Sequence, residues 1–192
     1  MESSIDIPCT QCGNDDSLSM LTLSSEIPYF GEHTQVTILC DHCGWKHTDF
    51  IPSDGAKPGS WSIVLDSIDK ISARVVRSSS CTIRIPHLDL EASPGSSSSG
   101  FVTNIEGVIN RFEHVVGSII RANPDSKEIV REANNILDRL TEAKTGTSNI
   151  ALLLLDPKGR SQIIHEDAVA TELTKSEATN LDTGPEFPVF DI

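Results

Sequence analysis

Two Cys-x-x-Cys-Gly motifs, Cys9-Thr-Gln-Cys12-Gly13 and Cys40-Asp-His-Cys43-Gly44, constrain this 192-residue chain more than any other feature. Four cysteines in two close pairs on one short segment can converge as four thiolates around a single tetrahedral ion. The glycine after each pair allows a tight turn at positive φ, so that backbone amides approach the sulfurs and offset their charge. A lone Cys-x-x-Cys would also suit redox chemistry, but that reading expects a βαβ setting. Here the flanks, Leu18–Leu23 and Val36–Leu39, alternate like strands, and the motif is duplicated with glycine in the same place. The expected structure is a ribbon over residues 1–55 holding one structural zinc ion on Cys9, Cys12, Cys40 and Cys43. With cysteine at all four positions, no site is open for a catalytic water. His42 lies inside the second motif, where intervening residues point outward, and is read as a surface residue. Cys81, isolated among serines, is read as a small buried residue.

Charge narrows the function classes. The chain carries 15 Lys+Arg against 28 Asp+Glu, a net charge of −13. Residues 1–55 hold nine of the acids and a single base, Lys46, whereas residues 56–155 are nearly balanced. Four thiolates and one Zn²⁺ would make the ribbon more acidic still. Nucleic-acid binding needs clustered Lys and Arg for phosphate contacts, so nucleic acid is an improbable partner. The acidity fits either a face for a basic protein or adaptation to salt, and both stay open at this point. No apolar run approaches the ~20 residues of a membrane helix. The polar, acidic N-terminus lacks the order of a signal peptide. A soluble cytoplasmic protein without membrane contact is expected.

Beyond a turn-rich linker at residues 54–59, strand-like runs occur at Trp61–Leu65, Ile71–Val76, Thr82–Ile85 and Leu88–Leu90, with Pro86 limiting the pairing of the last two. A Ser/Gly/Pro loop follows at residues 93–100, and then the period changes. Thr103 and Glu106 fit a capping box. Apolar residues then recur at helical spacing through Ile105, Val108, Ile109, Phe112, Val115, Val116, Ile119 and Ile120. Asn123-Pro-Asp breaks that helix. A second, capped by Asp125 or Ser126, carries Ile129, Val130, Ala133, Ile136, Leu137, Leu140 and Ala143 and ends near Lys144 and Gly146. The pair reads as an antiparallel hairpin at about residues 104–145, with both stripes in the core. Ile150–Leu155 reads as a central strand, Asp156-Pro-Lys-Gly159 as a type I turn, and Arg160–His165 as the returning partner strand. Residues 166–176 are expected to form a short helix. The β domain thus spans 56–176, and residues 177–192 form an acidic tail whose Phe187–Phe190 could dock on the chain itself or serve as a linear motif. Neither phosphate-cradling nor dinucleotide nor nucleophile-elbow glycine motifs occur, so an enzyme is not expected.

The order of these motifs resembles the Zpr zinc-finger family, in a single-module, archaeal-type form. The resemblance rests on both cysteine pairs, Ile27-Pro-Tyr-Phe30, Gly44-Trp45, Ser80-Cys-Thr-Ile-Arg-Ile-Pro86, Leu88-Asp-Leu-Glu91, Val102-Thr-Asn-Ile-Glu-Gly107 and Asp156-Pro-Lys-Gly-Arg-Ser161. His87 and Asn104 depart from the pattern, where the family usually has Glu and Thr. The resemblance implies a mainly β fold: a four-Cys zinc ribbon joined to a double-stranded β-helix-like domain with an α-hairpin insertion. It also implies that the chain binds translation elongation factor one-alpha, as a folding chaperone or regulatory partner, since eukaryotic members do so. Tyr29 and Phe30 are the candidate partner-binding residues, with packing between the ribbon strands as the equal alternative. The competing class is a nucleic-acid-binding zinc ribbon of the transcription or translation machinery, which the single lysine in residues 1–55 disfavours.

Overall fold

The structure is a computed structural model and describes residues 2–27, 31–52 and 57–184. Four antiparallel strands in chain order build the N-terminal ribbon: β1 (Glu2–Ile5), β2 (Leu18–Ile27), β3 (Gly31–Cys40) and β4 (Lys46–Pro52). Ile5 pairs with Leu18, Leu18 with Cys40, and Leu39 with Lys46, so the β1–β2 and β3–β4 connections lie at the same end of the sheet. Both cysteine motifs lie at that end, the first within the β1–β2 connection and the second starting on the last residue of β3. The ribbon's own apolar cluster is small: Ile5, Cys9, Leu18, Ile38 and Cys40, with Ile7, Met20 and Trp45 packed against it.

The second part is built from two further antiparallel sheets. After β5 (Gly59–Val64) the chain makes a one-turn helix α1 (Ile68–Ile71), then β6 (Arg74–Arg77), β7 (Thr82–Ile85), a 3-10 turn at Pro86–Leu88, β8 (Leu90–Ala92) and β9 (Phe101–Asn104). Helices α2 (Ile105–Ala122) and α3 (Lys127–Lys144) intervene before β10 (Ala151–Asp156), β11 (Gln162–Ile164), β12 (Val169–Glu172) and α4 (Lys175–Thr179). One sheet has the order β12-β5-β10-β7-β8 and the other β11-β6-β9. β10 is central, as its apolar run suggests, pairing with β5 on one side and β7 on the other. Its alternate residues Leu152 and Leu154 are fully buried, sharing one core with Ile63, Ile83 and Ile85 of their own sheet and with Val75 and Ile163 of the other. Ile105, Val108, Ile109 and Phe112 of α2 and Leu140 and Ala143 of α3 close that core.

Five sequence expectations need correction. The segment after the Asp156 turn does not pair back with β10; β11 crosses to the other sheet and pairs with β6, Gln162 against Val76. The cause is the Asp156 side chain, which collects the Lys158 and Arg160 amides (3.0 and 2.9 Å) and the Ser161 hydroxyl (2.6 Å) and so steers the chain away. Residues 169–172, expected in a helix, form the exposed edge strand β12 on β5, and the helix begins only at Lys175. At the start of α2 the cap is Asn104, whose side chain accepts from the Gly107 amide at 2.8 Å. Thr103 instead belongs to β9, opposite Val75, one residue too early to cap. Finally, the hairpin stripe is only partly core: Val115 is 57% and Ile119 43% exposed, because α2 outruns the sheets beneath it. The strand expected over Ile71–Val76 splits as well, into the end of α1 and β6.

Candidate metal centre

The two cysteine motifs adopt the same local structure. In the first, the Gly13 amide donates to the Cys9 carbonyl (2.7 Å) and the Cys9 amide to that of Asn14 (2.9 Å). In the second, Gly44 donates to Cys40 (2.8 Å) and Cys40 to Trp45 (2.8 Å). Gly13 (φ 70°) and Gly44 (φ 73°) are both left-handed, a conformation that costs a side-chain-bearing residue about 1 kcal/mol or more. The sequence places glycine where the turn demands it.

The sheet register then brings the motifs face to face. Cys9 Sγ lies 3.9 Å from Cys43 Sγ, Cys12 Sγ lies 3.8 Å from Cys40 Sγ, and all four sulfurs fall within 4.8 Å of one another. A tetrahedron with zinc–sulfur bonds of about 2.3 Å has sulfur–sulfur edges of about 3.8 Å, so the separations suit a four-thiolate ion of that size. Cys9 and Cys40 are buried, whereas Cys12 and Cys43 are exposed. The four cysteines are therefore positioned to bind a metal ion.

Their protonation preferences point the same way. The Cys40 thiol is lowered to about 6, first by the Ser17 hydroxyl 3.3 Å away and then by the Cys43 and His42 amides, against the opposing effect of burial. Cys12 is pushed up to about 12: the Asn14 amide favours its thiolate, but burial and the three neighbouring sulfurs outweigh it. Cys40 is ready to ionise while Cys12 and Cys43 resist sharing the negative charge, and a bound cation relieves that conflict. By contrast, burial pushes the Cys81 thiol up to about 12, as suits a core residue with no chemistry. His42 is exposed, as its place in the turn implies.

Tyr29 and Phe30 lie outside the described residues. From the metal centre β2 and β3 each run ten residues, about 30 Å of ladder. The ribbon is much longer than the short alternating runs suggested.

A second polar centre, which the sequence reading missed, fixes the ribbon to the two-sheet body. Asp49 of β4 is buried; its Oδ1 accepts from the Ser79 amide (3.0 Å) and its Oδ2 from the Ser79 hydroxyl (2.8 Å) and Arg160 Nη1 (3.2 Å). Asp156, 2% exposed, accepts from the Ser78 and Ser80 hydroxyls (2.8 and 2.7 Å) as well as from its own turn. The Thr48 carbonyl accepts from the Gly100 amide at 2.6 Å. The signal was present in the two short motifs around Cys81 and Asp156, but each looked like an ordinary loop until the fold joined them. Asp66 and Asp69, a carboxylate pair close in sequence, have separate partners: Asp66 forms an ion pair with Lys70 (2.7 Å), and Asp69 Oδ2 lies 3.3 Å from His165 Nε2.

Comparison with known proteins agrees with this architecture. Residues 3–56 match the ZPR1 zinc-finger domain and residues 69–183 the ZPR1 jelly-roll domain. The chain belongs to the ZPR1 family. It is 33% identical over 184 residues to an uncharacterised ZPR1-like protein of Methanocaldococcus jannaschii, covering 96% of this chain and 92% of that protein. A ZPR1-like protein of Pyrococcus horikoshii is 32% identical over 179 residues, 92% of this chain and 80% of that one. The zinc finger chaperone zpr1 of Schizosaccharomyces pombe is 28% identical over 160 residues, but there the match spans only 34% of the longer protein. The single ZPR1 module of this chain therefore corresponds to about a third of that eukaryotic relative. The two-sheet body is the jelly roll of the family, with the α2–α3 hairpin inserted between β9 and β10. Among the described residues, no helix is long and apolar enough to cross a membrane.

Proposed function

We propose that the protein is a cytoplasmic zinc-binding chaperone or regulatory partner of a translation elongation factor one-alpha homologue, and not an enzyme. Cys9, Cys12, Cys40 and Cys43 are its zinc ligands. The observation that carries the zinc assignment is the closed four-sulfur set, whose separations and soft donors suit Zn²⁺ and leave no position for substrate. Its role is then structural: it holds together a ribbon whose apolar cluster is too small to fold unaided.

The partner follows from the family reading. The fission-yeast relative is named a chaperone, and the family resemblance supplies the elongation factor as the client. The ribbon supports a protein partner with basic surface. Glu2, Asp6, Asp15, Asp16, Glu26, Glu32 and Asp41 are all exposed on it, and Lys46 is its single base. Such a surface repels phosphate backbones and attracts Lys- and Arg-rich protein faces. Tyr29 and Phe30, at the far end of the β2–β3 hairpin in sequence, are proposed to contact the partner.

Affinity purification of the tagged full chain from its native cell tests the partner. The elongation factor homologue is expected as the principal specific protein, retained after nuclease treatment. Zinc-loaded, folded protein that captures no elongation factor would overturn the assignment, and retention that nuclease abolishes would favour the nucleic-acid class.

A further inference from the structure

The part of α2 that outruns the sheets leaves a groove of about 420 Å³ between that helix and the β7–β8 hairpin. Buried Ile83, Phe112 and Val116 form its floor, and exposed Val115 and Ile119 its rim. At one wall the Phe101 ring lies between two guanidinium groups, that of Arg111 at 4.2 Å from the ring centroid and that of Arg77 at 5.5 Å. Arg77 gives its hydrogen bonds to neutral acceptors, the Cys81 and Ser99 carbonyls and the Ser98 hydroxyl. Among the described residues neither arginine forms an ion pair with a carboxylate. The groove's own acids, Asp89 and Glu91, come from the β8 side, and Glu91 is engaged by Arg84 at 2.5 Å. An apolar trough with two cations flanking an aromatic ring suits an extended segment that carries aromatic side chains and a carboxylate.

We propose that this groove is the docking site of the chain's own segment Pro185–Ile192. Its sequence, Pro-Glu-Phe-Pro-Val-Phe-Asp-Ile, has two phenylalanines and a valine between Glu186 and Asp191. Pro188 favours an extended backbone on both sides of it. The place where the described chain stops supports the same pairing. A Cβ at Gly184 would stand 3.2 Å from Pro94 Cβ and 3.5 Å from the Ser79 and Gly95 carbonyls. Ser79 O accepts from Ser98 Oγ (2.8 Å), which in turn accepts from Arg77 Nη1 (3.1 Å), so the chain reaches residue 184 beside the arginine end of the groove. Eight residues extend up to about 26 Å, and the α2 face from Phe112 to Ile119 is only about 10 Å long. Phe187 and Phe190 then fill the trough and Glu186 or Asp191 meets the exposed Arg111 guanidinium, Arg77 being buried and engaged by the Cys81 and Ser99 carbonyls.

The test uses the full, zinc-loaded chain with the photo-crosslinker p-benzoylphenylalanine at position 187 or 190. Crosslinks within one chain to α2, Phe101 or β8 are expected. Crosslinks to the ribbon, crosslinks between two chains, or none at all would overturn the proposal. The double variant Phe187→Ala/Phe190→Ala, altered only in this segment, supplies a second reading. Its Val115, Val116 and Ile119 methyl NMR signals should shift. A synthetic Pro185–Ile192 peptide should bind it at least about tenfold more tightly than the unaltered chain, because a tethered segment competes at roughly millimolar effective concentration. Equal affinity for both proteins, or unshifted methyl signals, would refute docking in cis.

Discussion

Replacing Asp156 by Asn isolates the polar centre that holds β10, β11 and the Ser78–Ser80 loop in register. The carboxylate accepts five hydrogen bonds, from the Ser78, Ser80 and Ser161 hydroxyls and from the Lys158 and Arg160 amides. An amide side chain keeps the shape but turns one acceptor into a donor. The three hydroxyls can rotate to accept from it, whereas a backbone N–H cannot. If the new NH2 replaces Oδ1 it faces the Lys158 amide, and if it replaces Oδ2 it faces the Arg160 amide. One orphaned N–H in this buried site costs about 1–3 kcal/mol, and loss of the charge weakens the remaining bonds by up to about 1 kcal/mol each, non-additively. The expected loss is about 3 kcal/mol, which for a chain of this length lowers Tm by about 6–12 °C. Urea unfolding of the zinc-loaded protein, followed by circular dichroism, measures it. A loss below about 1 kcal/mol would refute the idea that this carboxylate organises the junction.

Three further outcomes follow from the same geometry. Chelation of the metal should unfold the ribbon while leaving the jelly roll intact, seen by NMR as collapse of the residue 2–52 amide signals with those of β10 retained. Asn104→Ala should cost about 1 kcal/mol through loss of the α2 cap, and Thr103→Ala should leave that cap unchanged; equal losses in chemical denaturation would contradict the assignment. Burial lowers the pKa of His47, against the pull of the Asp49 carboxylate, so the folded state binds its proton less readily than the unfolded chain. Its contribution is therefore present above the unfolded pKa of about 6.5 and is lost as pH falls from there toward the lower folded value. His47→Gln should flatten the fall in stability as pH drops below about 6.5, and an unchanged slope would remove His47 from the account.

Local signals in the sequence carried the knuckles, the hairpin and the central strand. Each depends on spacing within a few residues: glycine after each cysteine pair, a 3.6-residue period from Ile105 onward, an unbroken apolar run in Ile150–Leu155. What escaped was set by distant partners. Residues 162–164 and 169–172 each look like any short polar-flanked segment, and only the Asp156 hub and the free edge of β5 decide where they pair. Asp49 and Ser79 are thirty residues apart and neither suggests the other until β4 meets the body. Asn104 was passed over because Thr103-x-x-Glu106 imitates a capping box one residue out of phase. The exposed end of the α2 stripe has the same periodicity as the buried part, so spacing alone could not tell core from groove.

Calorimetric titration of the purified elongation factor homologue into the full chain, with zinc bound and after its removal, tests the central claim most directly. The account predicts saturable one-to-one binding by the zinc-loaded protein, weakened by added salt because the ribbon is acidic, and at least about tenfold loss when the metal is withdrawn. Absence of binding by folded, zinc-loaded protein, or equal binding with and without the metal, would contradict it.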